Sequence, residues 1–394
     1  MKVLVVTEYF PRRGDPVRGV WAYRQALASR EAGAELHVLV LHRPVPPLTA
    51  IRNGDLKTAG RELRQPRRAE LGGLEVEYLQ YLSPPRPWSY DSWGIWAAPW
   101  LARRLHKLHR TKRFDLVHAH YALPAGDAVR RAAPDLPLVV SVHGHDVFGA
   151  GAGGRRVQTV LEHARLVLAN SAGTARRCRT AGASQVRVVH LGTDVPQAPT
   201  RPPAEPVLVT VAHLAPRKRH EDVLLAVASL LHRHPRLRYV IVGDGPARES
   251  LTRQVAELGL TDHVTFLGQL APEQARAVAV DATLFVMPSV DEAFGVAYVE
   301  AMAAGVPAIG CRGEAGPEEI AASGGGILLV DPRDPGMLAE TIDRQLSDPE
   351  SAAELREAAR RTVQDGFTWP ACGRATVEAY RQALEPSLPA ANLG

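Results

Sequence analysis

Cysteine is scarce in this chain: 394 residues hold three, Cys178, Cys311 and Cys372. An odd number at such wide intervals builds neither a disulfide framework nor metal-ligand spacing, so reduced thiols are expected. Long apolar runs are missing as well. No stretch of about 18 apolar residues occurs, which excludes a spanning helix on length grounds. The opening "MKVLVVTEYF" meets Glu8 too early to supply a signal peptide's apolar region, and it lacks a small-residue cleavage site. It reads as a first strand of a protein that stays in the cytoplasm. A dinucleotide fingerprint is also lacking: "GDGP" after "RYVIV" carries Arg248 where G-x-G-x-x-G needs its last glycine, and the first βα turn has no such motif. Nicotinamide chemistry is therefore disfavoured.

What is present is ordinary in bulk and uneven in charge. The length is about twice that of a typical domain, so two domains are expected. A content of 45% hydrophobic and 23% charged residues fits a globular enzyme. The formal charge is +5, but residues 1–200 hold 29 Lys+Arg against 16 Asp+Glu, or +13, and the remainder 18 against 26, or −8. A basic half suits nucleic acid, anionic lipid or a phosphorylated substrate. Nucleic acid is disfavoured because the basic residues are not interleaved with a recognised reading motif. Four of the six tryptophans crowd into "WSYDSWGIWAAPW", directly before "RRLHKLHRTKR". Aromatics beside cations over Trp88 to Arg113 fit a peripheral membrane contact at the inner face of the membrane. The plain alternative is an acceptor-side loop packed on a core helix with a solvated basic face.

Short β-branched runs alternate with helical patterns: "KVLVV", "ELHVLVL", "LEVEYLQYL", "DLVHAHY", "LVVSVHG", "RLVLANS" and "QVRVVHLG". Such alternation predicts βαβ units with parallel strands buried on both faces. Residues 44–73 lack periodicity and read as a loop insertion. The linker "TDVPQAPTRPPAEP", residues 193–206, has five prolines that continue neither sheet nor helix. Beyond it the pattern restarts at "PVLVTVAHL" and "RYVIVGDGP" and runs to "GILLVDP", with helical stretches after it. The fold class is thus α/β, with two doubly wound Rossmann-like domains: residues 1–198, joined by residues 376–394 packing back, and residues 199–375. A ligand crevice is expected at the carboxyl ends of both sets of strands, where the domains face each other.

The segment "PSVDEAFGVAYVEAMAAG" raises the chemical question, because an apolar stretch keeps both Glu292 and Glu300. The helix is expected just after Gly295, and such a strand–loop–helix joint offers free N–H groups and a positive dipole end to a phosphate. Glu292 in the loop then reaches a group attached to that phosphate, while Glu300, one turn inside, reaches a ribose. Capping explains Glu292 equally well. It explains Glu300 poorly, since Val299, Ala301 and Met302 make its surroundings apolar and a buried carboxylate without a partner is costly.

That segment closely resembles the E-x7-E element of family-four retaining glycosyltransferases of the GT-B fold, of the type that builds bacterial cell-surface or lipid-linked glycans. The likeness covers nearly the whole chain through "FPRRGDPVRGVWAYRQALA", "FDLVHAHYALPAG", "VVSVHGHDV", "VLANS", "VVHLGTD", "VAHLAPRKRHEDVLLAV", "IVGDGPARESL", "HVTFLGQL", "GPEEI" and "FTW" in the family's order. The resemblance implies that Gly19 lets the backbone approach a donor pyrophosphate. By the same resemblance His143 sits near the donor sugar and Lys218 holds the diphosphate. Glu292 is implied on sugar hydroxyls, beside the amides of Phe294, Gly295 and Val296. Glu300 is implied on the ribose, and the backbone around Gly268 and Leu270 on the base. One departure matters: where the family has Arg five positions before the lysine, this chain has His213, a weaker and pH-dependent cation. Arg217 or Arg219 is the candidate substitute in space. A milder departure is Ala293 where glycine is common.

The expected partners are a nucleotide-sugar, of UDP or GDP type, and a glycan, lipid-linked or small-molecule acceptor. No further cofactor and no metal are expected, because Lys218 and the helix start supply positive charge to the departing diphosphate. His118 and His120, alternating along "DLVHAHY", are expected to be structural or acceptor-side. Two rival readings stand: a GT-B-type sugar-nucleotide epimerase or phosphorylase, and a non-catalytic glycan- or nucleic-acid-binding module.

Overall fold

The computed structural model describes residues 1–45, 52, 60, 64–144, 146–148, 154–198 and 201–386, except the side chains of residues 87 and 88. The chain divides into two compact units: Met1–Val189 with Trp369–Gly394, and His190–Thr368. The division falls at 189/190 and 368/369, beside the expected 198/199 and 375/376.

In the first unit the described residues form an eight-stranded sheet, β3-β4-β2-β1-β5-β6-β7-β8. The strands are β1 (Lys2–Thr7), β2 (Glu35–His42), β3 (Arg68–Leu71), β4 (Leu74–Gln80), β5 (Leu116–His120), β6 (Leu138–Val142), β7 (Leu166–Ala169) and β8 (Val186–Val188). All pairings are parallel except the β3–β4 hairpin. That hairpin corrects the expected insertion: Arg68–Leu71 pairs with β4, while most of residues 46–63 lie outside the described residues. A run such as Val3–Val6 is apolar throughout because both faces of the strand are covered. Leu4 and Val6 enter one core with Leu39, Val117 and Val140, whereas Val3 and Val5 enter the other with Val38, Leu116 and Val139.

The helix Trp369–Leu384 belongs to this second core, with Cys372, Val377, Tyr380 and Ala383 buried beside Ala22 and Ala26 of the helix Val20–Glu31. The two helices meet closely at Gly373, where a side-chain carbon would lie 2.2 Å from the Ala28 carbonyl oxygen. Gln25 Nε2 donates to Thr376 Oγ1 across the same contact, at 3.0 Å.

The second unit is built on a parallel six-stranded sheet, β11-β10-β9-β12-β13-β14. Its strands are β9 (Val207–Val211), β10 (Arg238–Val242), β11 (Val264–Gly268), β12 (Leu284–Val286), β13 (Ala308–Cys311) and β14 (Ile327–Val330). Numbered from β9, the order is 3-2-1-4-5-6, the doubly wound nucleotide-binding arrangement. Crossovers leave β9 toward one edge and β12 toward the other, so the crevice opens at the carboxyl ends of these two neighbours. The first part of the proline-rich linker is tied to this unit. Thr193 bridges to Thr368, Asp194 pairs with Arg276 at 3.1 Å, and Arg360 donates to the carbonyls of Pro196 and Gln197. Residues 199 and 200 lie outside the described residues.

Candidate functional site

Lys218 and Glu292 come together at the β9/β12 switch point, although 74 residues separate them in the chain. Lys218 ends a short 3₁₀ turn, Pro216–Lys218, after β9, and Glu292 stands in the loop after β12. The two loops are stitched by Val290 N–H donating to the Arg217 carbonyl at 2.8 Å. Lys218 Nζ lies 2.5 Å from Glu292 Oε2, and the residues are 8% and 7% exposed, so the pair is largely removed from water. Ser289 Oγ donates to the same carboxylate oxygen at 3.0 Å, and Arg217 Nη1 stands 3.8 Å away. Burial lowers the lysine's pKa, and the facing carboxylate opposes that by favouring the charged form.

Gly295 follows with φ 81°, and a side-chain carbon there would lie 2.4 Å from the Tyr298 ring. Only glycine fits that turn without displacing the ring. From it starts the helix Val296–Ala303, as expected from the sequence. Tyr298 N–H closes on the Gly295 carbonyl at 3.0 Å, and the Val296 and Ala297 amides before it, with no carbonyl one turn back, are left for a ligand or water. Phe294 is buried and stacks at 5.8 Å on His190, whose Nε2 lies 2.6 Å from Glu319 Oε1. Tyr298 hydroxyl donates to the Met287 carbonyl and pins the helix under β12.

The carboxylate of Glu300, expected over a ribose, is half-buried, and burial pushes its pKa up to about 7 against the opposing pull of Arg276. His213 is exposed, near Gly245. Of its candidate substitutes, Arg219 is occupied: it grips Asp222 with two hydrogen bonds of 2.8 and 2.7 Å and meets Glu221 at 2.6 Å. Arg217, about half exposed, reaches the Glu292 carboxylate instead. Gly268 ends β11 with φ 69°, and its carbonyl accepts from Gly243 N–H at 2.8 Å; Leu270 is half-buried two residues on.

In the first unit Gly19 precedes the helix Val20–Glu31 with φ 62°. A side-chain carbon there would lie 2.2 Å from the Tyr9 carbonyl, so chain packing already demands glycine. His143 follows β6 and lies against His120, which ends β5: Nε2 and Nδ1 are 2.9 Å apart and the rings are within 5° of parallel. His118 is held between Tyr380 hydroxyl and Ser141 Oγ, each at 2.8 Å. Burial pushes both His118 and His143 down to about 3, so these imidazoles are neutral at ordinary pH. Asp146, whose carboxylate accepts from Ala122 N–H at 3.0 Å, is pushed up to about 7 by burial.

Sequence reasoning missed three participants. Glu314 accepts the Glu292 N–H at 2.7 Å, Ser289 shares the Glu292 carboxylate, and Asp146 lies beside the histidines. Glu314 had a usable signal, a carboxylate three residues beyond β13 at the same edge of the sheet. Among the described residues no group of three or more His, Cys, Asp or Glu side chains is placed to hold a metal ion.

Comparison with known proteins adds the family. Residues 17–197 match "Glycosyltransferase Family 4" and residues 193–362 match "Glycosyl transferases group 1". The 2-deoxystreptamine glucosyltransferase of Streptomyces kanamyceticus is 33% identical over 306 residues, covering 68% of this chain and 78% of the relative. The GDP-mannose-dependent alpha-(1-6)-phosphatidylinositol monomannoside mannosyltransferase of Mycolicibacterium smegmatis is 27% identical over 402 residues, 95% of this chain and 97% of its own. Among solved structures, the sucrose-phosphate synthase of Thermosynechococcus elongatus superposes with a TM-score of 0.76 at 22% identity, over 97% of this chain and 99% of that one.

Proposed function

Since this chain belongs to glycosyltransferase family 4 and has the GT-B fold, we propose that it moves a sugar from a nucleotide-sugar to a glycan or lipid-linked acceptor with retention of anomeric configuration. The observation that carries this reading is Lys218 at the β9/β12 switch point, charge-paired with Glu292 beside the start of the helix Val296–Ala303. As the bond from the anomeric carbon to the phosphate oxygen breaks, negative charge builds on the departing diphosphate. Lys218 and the amides of Gly295 and Val296 are cationic or dipolar groups suited to meet that charge, so they favour the transition state over the ground state. Arg217 is the second cation for this role, in place of the arginine that His213 replaces.

Glu292 is poorly suited to attack the sugar. Lys218 and Ser289 both engage its Oε2, which stabilises the carboxylate and blunts its nucleophilicity. Front-side attack suits the arrangement better: the acceptor oxygen bonds to the anomeric carbon as the phosphate leaves, and its proton passes to a phosphate oxygen. Glu292 then orients sugar hydroxyls and Glu300 takes the ribose, with the base near Gly268 and Leu270. The donor is of UDP or GDP type; the mycolicibacterial relative is named for GDP-mannose.

The helix Trp93–Lys112 supports a lipid-linked acceptor met at an anionic membrane surface. Ile95, Trp96 and Trp100 are 38%, 48% and 50% exposed, and Arg103, Lys107 and Arg110 continue the exposed face. Aromatic side chains that enter the headgroup region beside cations that meet anionic lipid are the chemistry of interfacial binding. Among the described residues no helix is long and apolar enough to cross a membrane. The deciding experiment is a nucleotide-release screen of purified protein over UDP-, GDP-, ADP- and dTDP-sugars, with and without lipid-linked acceptor. Acceptor-dependent release is expected with one nucleotide. Product formed without acceptor, or only with added phosphate, overturns the reading in favour of an epimerase or phosphorylase.

A further inference from the structure

Glu8 follows β1 at the carboxyl end of the first unit's sheet, the end at which a doubly wound fold binds its ligands. Its carboxylate is buried, and its near partner is the Tyr90 hydroxyl, which donates to Oε2 at 2.8 Å. Two guanidiniums stand further off, Arg18 Nη2 at 3.5 Å and Arg86 Nη1 at 3.9 Å from Oε1. Both distances exceed the about 2.7–2.9 Å of a charge-assisted hydrogen bond. Burial raises the Glu8 pKa against their pull, as fits cations held off from the carboxylate. One carboxylate therefore faces two guanidiniums, which leaves a surplus of one positive charge.

Neighbouring rings set where those guanidiniums lie. Arg86 Nη2 donates to the Tyr9 hydroxyl at 2.7 Å, and its planar group covers the Tyr90 ring at 4.2 Å. Arg18 covers the Tyr9 ring at 4.8 Å. The two side chains remain 48% and 24% exposed. An arginine that serves only to neutralise a carboxylate closes on it with both arms, as Arg104 does on Glu77 with two contacts of 2.6 Å. Arg18 and Arg86 do not close on Glu8 in that way. Their forks are held in place by aromatic faces and keep N–H donors to spare.

The Tyr9 hydroxyl accepts from Arg86 and so keeps its own proton to donate. Two guanidiniums and a hydroxyl proton form a set of donors suited to phosphate oxygens. The surplus of one charge then selects among phosphates. A phosphodiester carries one negative charge, whereas a monoester carries about 1.5 to 2 at neutral pH, and the additional charge would face Glu8. We propose that Arg18, Arg86 and the Tyr9 hydroxyl form an anion seat for a phosphodiester of the acceptor, with Glu8 behind them limiting the seat to a single negative charge. Calling the ligand an acceptor rests on the transferase reading given above. The seat itself lies wholly within the first unit and is testable without donor.

The experiment is calorimetric titration of donor-free, full-length protein with glycerophosphoglycerol, a soluble phosphodiester, and with glycerol 3-phosphate, a monoester, at low salt where screening is weak. Saturable binding of the diester is expected, tighter than that of the monoester. Arg18→Gln and Arg86→Gln should each weaken it at least about tenfold, the scale of one hydrogen bond to a charged group. Glu8→Gln keeps an oxygen for Tyr90 and removes the carboxylate charge, so it should tighten the monoester at least about tenfold and reverse the preference. A purely structural Glu8 gives no reversal. Vesicles of phosphatidylglycerol identify the source of the phosphate. For a lipid headgroup, vesicle binding weakens in Arg86→Gln and is competed by glycerophosphoglycerol; for a soluble acceptor it does neither, and the seat stands in both cases. No saturable binding, a wild-type preference for the monoester, or undiminished binding in both arginine variants overturns the proposal. Displacement of the diester by UDP or GDP also overturns it, because the cations then serve the nucleotide. The wild-type preference and the nucleotide competition decide even if a variant does not fold. A protein that binds the diester but releases no nucleotide from any donor overturns the transferase reading and keeps the seat.

Discussion

The Lys218–Glu292 pair has two roles that mutation can separate. Its ammonium is the group proposed for the departing diphosphate, and its burial makes each partner depend on the other. Lys218→Ala and Glu292→Gln should each lower turnover at least about 100-fold, the effect of removing one preorganised electrostatic contact. Lys218→Ala also leaves Glu292 in a poorly solvated site, at a cost of about 3 kcal/mol. The double variant Lys218→Met, Glu292→Gln should regain most of that stability in urea melts while staying inactive. Regained activity in the double variant would sink the catalytic assignment.

Glu300 makes a prediction in pH. Its folded pKa stands near 7 against an unfolded value near 4.5. The folded state therefore binds the proton more tightly, and the stability this contributes is complete below about pH 4.5 and is lost as pH rises through 7. Glu300→Gln should accordingly melt higher than wild type by a margin that grows from pH 5 to pH 8. In the proposed role the ionised form accepts ribose hydroxyls, so donor KM should fall between pH 6 and 8 in the wild type and stay flat and high in Glu300→Gln. A flat wild-type profile would remove Glu300 from the ribose.

The helix Trp93–Lys112 behaves as two surfaces. Trp93, Ala97, Leu101, Leu105 and Leu108 face the core, while Trp96 and Trp100 stand half in solvent. Replacing both by Ser should leave the melting temperature within about 2 °C and weaken binding to vesicles containing anionic lipid at least tenfold, measured by co-sedimentation. Undiminished sedimentation would leave the exposed tryptophans without a membrane role. The loop after β12 shows the other use of an element, where Gly295 sets a left-handed turn from which the next helix starts.

The helix Trp369–Leu384 ties the last part of the chain to the first unit. Ending the chain after Thr368 strips Cys372, Val377, Tyr380 and Ala383 from the core and uncovers Ala22 and Ala26. A buried side chain of Leu or Phe size contributes about 1.5–3 kcal/mol, and a whole domain is stable by only 5–15 kcal/mol. The truncated protein should be insoluble or lose the cooperative melt of its first unit, read by calorimetry. A soluble truncation with wild-type melting would show that the helix is an ornament.

Much of this was legible in order of residues. Strand runs such as "KVLVV" and "LVVSV" announced a two-faced parallel sheet because all their residues but Lys2 and Ser141 are apolar, and the loop ending at Gly295 announced where the next helix begins. The β3–β4 hairpin was hidden, since "RAEL" carries no apolar alternation strong enough to mark a strand within a polar insertion. The meeting of Lys218 with Glu292, of His120 with His143, and of Tyr380 with His118 was hidden for a different reason. Periodicity reports which face a side chain takes within its own element; it does not report which distant element lies opposite. Local pattern, short-range sterics and burial thus sufficed for the α/β class, the strand list and the helix start after Gly295. Partner choice across 74, 23 and 262 residues was settled only when the parallel sheets brought the carboxyl ends of non-consecutive strands side by side and the last helix returned to the first core.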